Sequence, residues 1–267
     1  MRVRIKRSCT IRLSLLPKVL LVFSTLVCLP CSATLNDAET MNLSGMQRML
    51  SQRMAKTYLM IGSGVRAGVA NQQFDQSLGK FESNYQALTE YAPNAEIRQT
   101  LLGADSIWQG YRQQLLNSPS RENAPQVLAL SDQLLTQSER VVQLIQQHSA
   151  SNTALLVNRS GRQRMLSQRI AKLYLARSWR LPGADLEQQF QQAVDEFDRA
   201  LSELQNAPQI NAALRKVEAQ WALSRAGFRL SKDSRYVPTV ITTTTETLLR
   251  QMNELTSAYE TLMHTGA

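Results

Sequence analysis

Beyond residue 33 the chain has no cysteine: Cys9, Cys28 and Cys31 are the only three among 267 residues. If the first stretch is a leader, the remaining chain has no disulfide, no thiol nucleophile and no thiolate metal ligand. It must rest on an apolar core, for which about 230 residues are ample. Histidine is equally scarce. His148 and His264 stand near the ends of expected helices, where the macrodipole accounts for a cation, and neither has a metal-ligand partner at i+3 or i+4. There is no glycine-rich phosphate loop and no nucleophile elbow. No catalytic residue, metal or cofactor is expected. No stretch shows sustained strand alternation, and from Thr34 onward nothing is apolar enough to span a membrane, which takes roughly 20 apolar residues.

The formal charge of +9 is less informative than it looks. Arg2, Arg4, Lys6, Arg7, Arg12 and Lys18 precede an apolar run, Val19 to Leu29, then Pro30 and the small-residue triplet Cys31-Ser32-Ala33. This has the layout of a secretory signal peptide. Cleavage is expected after about Ala33, with export to the periplasm; an uncleaved leader anchoring the chain to the inner membrane is the alternative. Val27 and Pro30 sit where a lipid-modified cysteine would want a small residue. Setting the six leader cations aside leaves 24 basic against 21 acidic residues, or +3. The basicity thus belongs mostly to the leader and is poor support for nucleic-acid binding.

What is present in abundance is repetition. Residues 42–59 read NLSGMQRMLSQRMAKTYL and residues 158–175 read NRSGRQRMLSQRIAKLYL, identical at 14 of 18 positions with an offset of 116. Gln72-Gln73-Phe74 recurs as Gln188-Gln189-Phe190, and Phe81 as Phe197. The offset then falls to 113, with Ile97, Leu101 and Trp108 matching Ile210, Leu214 and Trp221, so a three-residue difference sits in the turn near Pro93 and Pro208. Self-similarity on this scale sets the architecture. The expected domains are residues 34–150 and 151–267, after the leader at 1–33.

Glycine and proline cluster at breaks, and apolar residues between them recur at helical spacing, as in Phe74, Leu78, Phe81, Tyr85 and Leu88. This pattern gives four helices per repeat: 37–66, 70–91, 95–117 and 124–149, then 153–180, 184–206, 209–231 and 239–264. The β-branched run Val237 to Thr247 is the weakest helical segment. Short connections favour antiparallel neighbours. The fold class is all-α: two tandem antiparallel four-helix bundles related by the internal repeat. Asn152-Thr153 aligns with Asn36-Asp37, and both pairs suit an N-cap. A turn near Ser149–Asn152 would start both first helices at the same end and let them pack as a pseudo-dimer. One continuous helix there would lay the bundles end to end.

On a helical wheel Leu43, Leu50, Met54, Thr57 and Ile61 form a core face. Met41, Arg48, Gln52, Ala55 and Leu59 form a second stripe, repeated as Val157, Arg164, Gln168, Ala171 and Leu175. A solvated stripe would not set Met, Ala and Leu beside one arginine, so Arg48 and Arg164 are expected in a helix–helix contact outside the core. A buried arginine needs a partner, and no acidic residue lies in either motif copy. A guanidinium matches a planar oxyanion bidentately. Two of them, with the Gln52 and Gln168 amides nearby, would suit one small planar monoanion; a carboxylate from another helix is the competing partner. Gly45 and Gly161 cost roughly 1 kcal/mol each against alanine inside a helix, which close helix approach or room for a ligand would explain. Arg53, Arg169, Lys56 and Lys172 are expected on a solvated face. The methionines at 41, 46, 49, 54 and 60 are read as packing, and Trp108 and Trp221 as core anchors.

GMQRMLSQR and GRQRMLSQR resemble the signature of the type IV pili methyl-accepting chemotaxis transducer N-terminal domain, the PilJ/NarX-like sensor family. The resemblance is strong over the two motif segments and weaker along the other helices. It implies four-helix bundles and, as in the family's nitrate-binding members, an arginine from each of two first helices gripping one nitrate. By position in the pattern those arginines are Arg48 and Arg164, with Arg53 and Arg169 matching its second arginine. The implied binding set is Arg48, Arg164, Gln52, Gln168, Gly45, Gly161, Ser51, Ser167, Arg53 and Arg169, and the implied ligand nitrate or nitrite. Other members flank the domain with membrane helices and cytoplasmic signalling modules. Here a signal is expected to leave through a partner, such as a membrane-bound sensor or chemoreceptor. A homodimer is a further option. The competing function is a structural protein that docks a helical sensor or pilus-associated partner through the arginine stripe.

Overall fold

In the computed structural model, Asn36 opens the first helix with a reciprocal capping box. Its side chain accepts from the Glu39 amide at 2.9 Å and its own amide donates to Glu39 Oε2 at 3.0 Å, which satisfies two of the donors a helix start leaves unpaired. The structure describes residues 35–149, 152–183, 185–205, 211–230 and 236–265; the leader and its cleavage point lie outside them. The first repeat folds as α1 (Asp37–Gly62), α2 (Ala67–Tyr91), α3 (Ala95–Leu115) and α4 (Ala124–Ser149). The second folds as α5 (Asn152–Ser178), α6 (Leu186–Gln205), α7 (Asn211–Leu230) and α8 (Pro238–Thr265).

α1 stops four residues short of the expected 66. Ser63 donates back to Leu59, Gly64 takes φ +71° and Arg66 φ +51°, a left-handed exit that glycine adopts without a Cβ penalty. α8 takes in the β-branched run from Pro238 onward, with Val237 just outside it. Its threonines spend their hydroxyls on carbonyls one turn back, Thr242 on Pro238, Thr243 on Thr239 and Thr245 on Ile241, so hydroxyls that would otherwise compete with the helix are absorbed by it.

α1 and α5 lie side by side at the centre. Gly45 faces Gly161 near one end and Gly62 faces Trp179 at the other, so the two helices run parallel. α2 and α4 flank α1, α6 and α8 flank α5, and α3 and α7 rest on α4 and α8. This is the pseudo-dimeric arrangement, not the end-to-end one; residues 150 and 151, at the junction, lie outside the described residues. Each repeat has its own aromatic anchor: Phe81 and Trp108 with centroids 4.4 Å apart, Phe197 and Trp221 at 4.0 Å. Such pairs add about 0.5–1.5 kcal/mol beyond the area they bury.

Because α1 and α5 are covered on nearly every side, both stripes of each are buried. Leu50, Met54 and Thr57 on one face of α1 and Met41, Arg48, Gln52, Ala55 and Leu59 on the other are all inaccessible, while Leu43 and Ile61 are partly covered. The expectation of a solvated face for the remaining cations is wrong. Lys56 and Lys172 are fully buried, and Arg53 and Arg169 keep only 15% and 20% of their side chains exposed. Carboxylates of the other repeat, Glu246 on α8 and Asp132 on α4, close over these cations.

Candidate functional site

The central crossing is built on glycine. A methyl group on Gly45 or Gly161 would lie 3.3–3.4 Å from Nη2 of both Arg48 and Arg164, and 3.9–4.0 Å from the opposite glycine's Cα. The absent side chains thus give close helix approach and room for both guanidiniums. Each arginine reaches back toward its helix N-terminus, as long helical side chains do, and crosses to the other helix. Arg48 Nη2 donates to the Asn158 carbonyl at 3.3 Å and Arg164 Nη2 to the Asn42 carbonyl at 3.4 Å.

The near-symmetry breaks at the next partner. Arg48 Nη1 donates to Glu139 Oε2 on α4 at 2.8 Å. Arg164 Nη1 meets the neutral Asn253 Oδ1 on α8 at 3.5 Å. Of these two fully buried cations, only Arg48 therefore touches a carboxylate among the described residues. Burial, and then the charge of Arg48, push Arg164 down to about 9, with Glu260 opposing. Burial lowers Arg48 too, against the pull of Glu139. Burial would raise Glu139, yet Arg48 and Arg162 hold its carboxyl below the ordinary range. Nε of both arginines and Oε1 of Gln52 and Gln168 are buried with no hydrogen-bond partner among the described residues.

The other motif side chains have different employment. Ser51 and Ser167 donate to the Arg48 and Arg164 carbonyls at 2.8 and 2.7 Å. The Gln52 amide donates to the Ser131 carbonyl of α4 at 2.9 Å, and the Gln168 amide to the Ser167 hydroxyl at 3.2 Å. Arg53 and Arg169 enter two lateral clusters that stitch the repeats together. Arg53 and Lys56 of α1 both pair with Glu246 of α8, while Arg169 and Lys172 of α5 both pair with Asp132 of α4. Burial, only partly offset by these carboxylates, brings both lysines down to about 8.

The motif alone could not reveal Glu139, Asp132 or Glu246, which stand on last helices. One signal existed: Asp132 and Glu246 are 114 residues apart, as are Glu139 and Asn253. The first pair stays acidic in both repeats and the second does not.

Among the described residues no helix is long and apolar enough to cross a membrane. Comparison with curated proteins and with solved structures gives no match. The sequence model of the type IV pili methyl-accepting chemotaxis transducer N-terminal domain matches twice, over residues 32–134 and 145–263. Those two matches span most of the chain, and the protein belongs to that PilJ family, carrying its domain in tandem.

Proposed function

We propose that this chain, a sensory or signalling module by its family, captures a small planar oxyanion between Arg48 and Arg164, nitrate first and nitrite second. The observation that carries the reading is the pair of buried guanidiniums over the glycine crossing, of which only Arg48 touches a carboxylate among the described residues. Arg164 makes no ion pair among the described residues and is offset only at a distance by Glu260, a place a monoanion would fill, and the two buried Nε donors lack acceptors among the described residues. Planar acceptors suit guanidinium forks, and a desolvated charge strengthens the attraction. The exported form of the chain would meet its ligand in the periplasm and pass the signal to a membrane-bound sensor or chemoreceptor.

One observation favours a second reading. Arg48 already holds Glu139, as expected if the arginines are structural and the protein docks a helical partner. Isothermal titration of nitrate into the purified protein, with nitrite and chloride beside it, separates the two. Saturable uptake near one per chain, lost in both Arg48→Ala and Arg164→Ala while far-UV circular dichroism stays native, supports the anion site. No heat and no thermal shift at millimolar nitrate would leave the docking protein as the better account.

A further inference from the structure

Glu139 does not belong to Arg48 alone. The same oxygen, Oε2, lies 2.8 Å from Arg48 Nη1 and 3.1 Å from Arg162 Nη1. Arg162 stands on α5, keeps 39% of its side chain exposed, and uses its Nε on Glu196 of α6. Glu139 and Arg162 together line a groove of about 380 Å³ with Leu135, Gln143 and Met165. The carboxylate is thus shared between a cation in the sealed crossing and one at the open surface, with free volume beside it. The other repeat has neither part: Met46 stands where Arg162 does, and Asn253 where Glu139 does.

Resting on the anion reading, we infer that Glu139 is the ligand's internal competitor and that binding transfers its carboxylate from Arg48 to Arg162. An anion taken up between Arg48 and Arg164 comes up against the Glu139 carboxylate. Two negative charges a few ångströms apart in a buried site repel strongly. Leaving Arg48 for bulk water would cost Glu139 its ion pair, whereas shifting onto Arg162, which it already touches, keeps one. The exchange breaks the α1–α4 ion pair and leaves the α4–α5 one, already made at 3.1 Å, to hold the carboxylate alone. The site's occupancy becomes the loss of one of the two ties that Glu139 makes from α4 to the central helices, on the face where the groove opens. Arg162 is then a positioning residue: it sets affinity without touching the ligand.

A double-mutant cycle tests this with nitrate as the probe, on the whole protein. Arg162→Met, which copies the residue at position 46, should weaken nitrate binding roughly tenfold, because the displaced carboxylate loses the cation that receives it. Glu139→Gln should tighten it by a similar factor. In the Glu139→Gln background Arg162→Met should then change nothing beyond twofold. Equal weakening in both backgrounds would mean that Arg162 acts through its field alone and would overturn the transfer, as would no effect in the parent. Should Arg162→Met melt early, Glu196→Gln reads the same coupling with the opposite sign: it frees Arg162 for Glu139 and should tighten binding only while Glu139 is present. Failure of the parent protein to take up nitrate at all overturns the anion reading, and this inference with it. Nitrate uptake with an additive cycle overturns this inference alone.

Discussion

Replacing Asn253 by glutamate would give Arg164 the partner that Arg48 already has. Arg164 is 1% exposed and its nearest side-chain acceptor is an amide oxygen at 3.5 Å. Its fall from arginine's ordinary range to about 9 puts a ceiling of about 5 kcal/mol on what a well-placed carboxylate could restore, at about 1.4 kcal/mol per tenfold change. The new carboxylate must itself be desolvated, which takes back part of the gain, so about 2 kcal/mol is expected. For a chain of this size that raises the melting temperature by roughly 4–8 °C. The same change puts a fixed carboxylate on the guanidinium that the ligand would use, so nitrate uptake should weaken at least tenfold while stability rises. Thermal denaturation followed by circular dichroism at neutral pH, with and without nitrate, reads both effects. A melting temperature unchanged or lowered in a natively folded Asn253→Glu protein would refute the claim that Arg164 is an under-compensated charge.

The same geometry sets three further outcomes. Asp132→Asn should destabilise by about 3–5 kcal/mol, since it leaves Arg169 and buried Lys172 without their shared carboxylate; chemical denaturation checks it, and a loss below about 1 kcal/mol would sink the stitching role of that cluster. Gly62→Ala places a methyl 2.4 Å from the Trp179 ring and should cost about 1–3 kcal/mol, whereas Gly64→Ala meets no neighbour and suffers only from its positive φ, so the two melting curves can be compared directly. Lys56 and Lys172, held at about 8, cost stability in full below that pH. The cost is relieved as pH rises from about 8 toward lysine's ordinary value, so urea midpoints should climb between about pH 7.5 and 9.5, and a flat profile in that window would contradict the buried charged state.

How far the sequence could be read depended on where each interaction lived. The helices were legible because glycine, proline and cap residues mark their ends, as at Asn36 and Pro93, although the expected first helix ran past Gly64 to residue 66. The packing of α1 and α5 was legible only in part: two apolar stripes on one helix demand two interfaces, but a turn or a continuous helix near residues 149–152 decides whether the other repeat supplies the second. Lys56 and Lys172 were misread because a wheel knows one helix, and their cover comes from residues 190 and 40 positions away. The partner of Arg48 escaped for the same reason: Glu139 sits 91 residues on, and nothing local to the motif announces a carboxylate arriving from an antiparallel neighbour. The asymmetry of the site was visible only as two unrepeated positions, Glu139 against Asn253 and Arg162 against Met46.

Because α1 and α5 are parallel neighbours on one polypeptide, the two arginines cannot be diluted apart. A site assembled from two separate molecules loses occupancy as the protein becomes scarce, since half-sites must first meet. Here the meeting is intramolecular, with an effective concentration fixed by the connection between α4 and α5 and not by abundance. A sensor present at a few copies per cell would keep the same ligand threshold as one present at thousands, and its dose–response curve would report ligand alone.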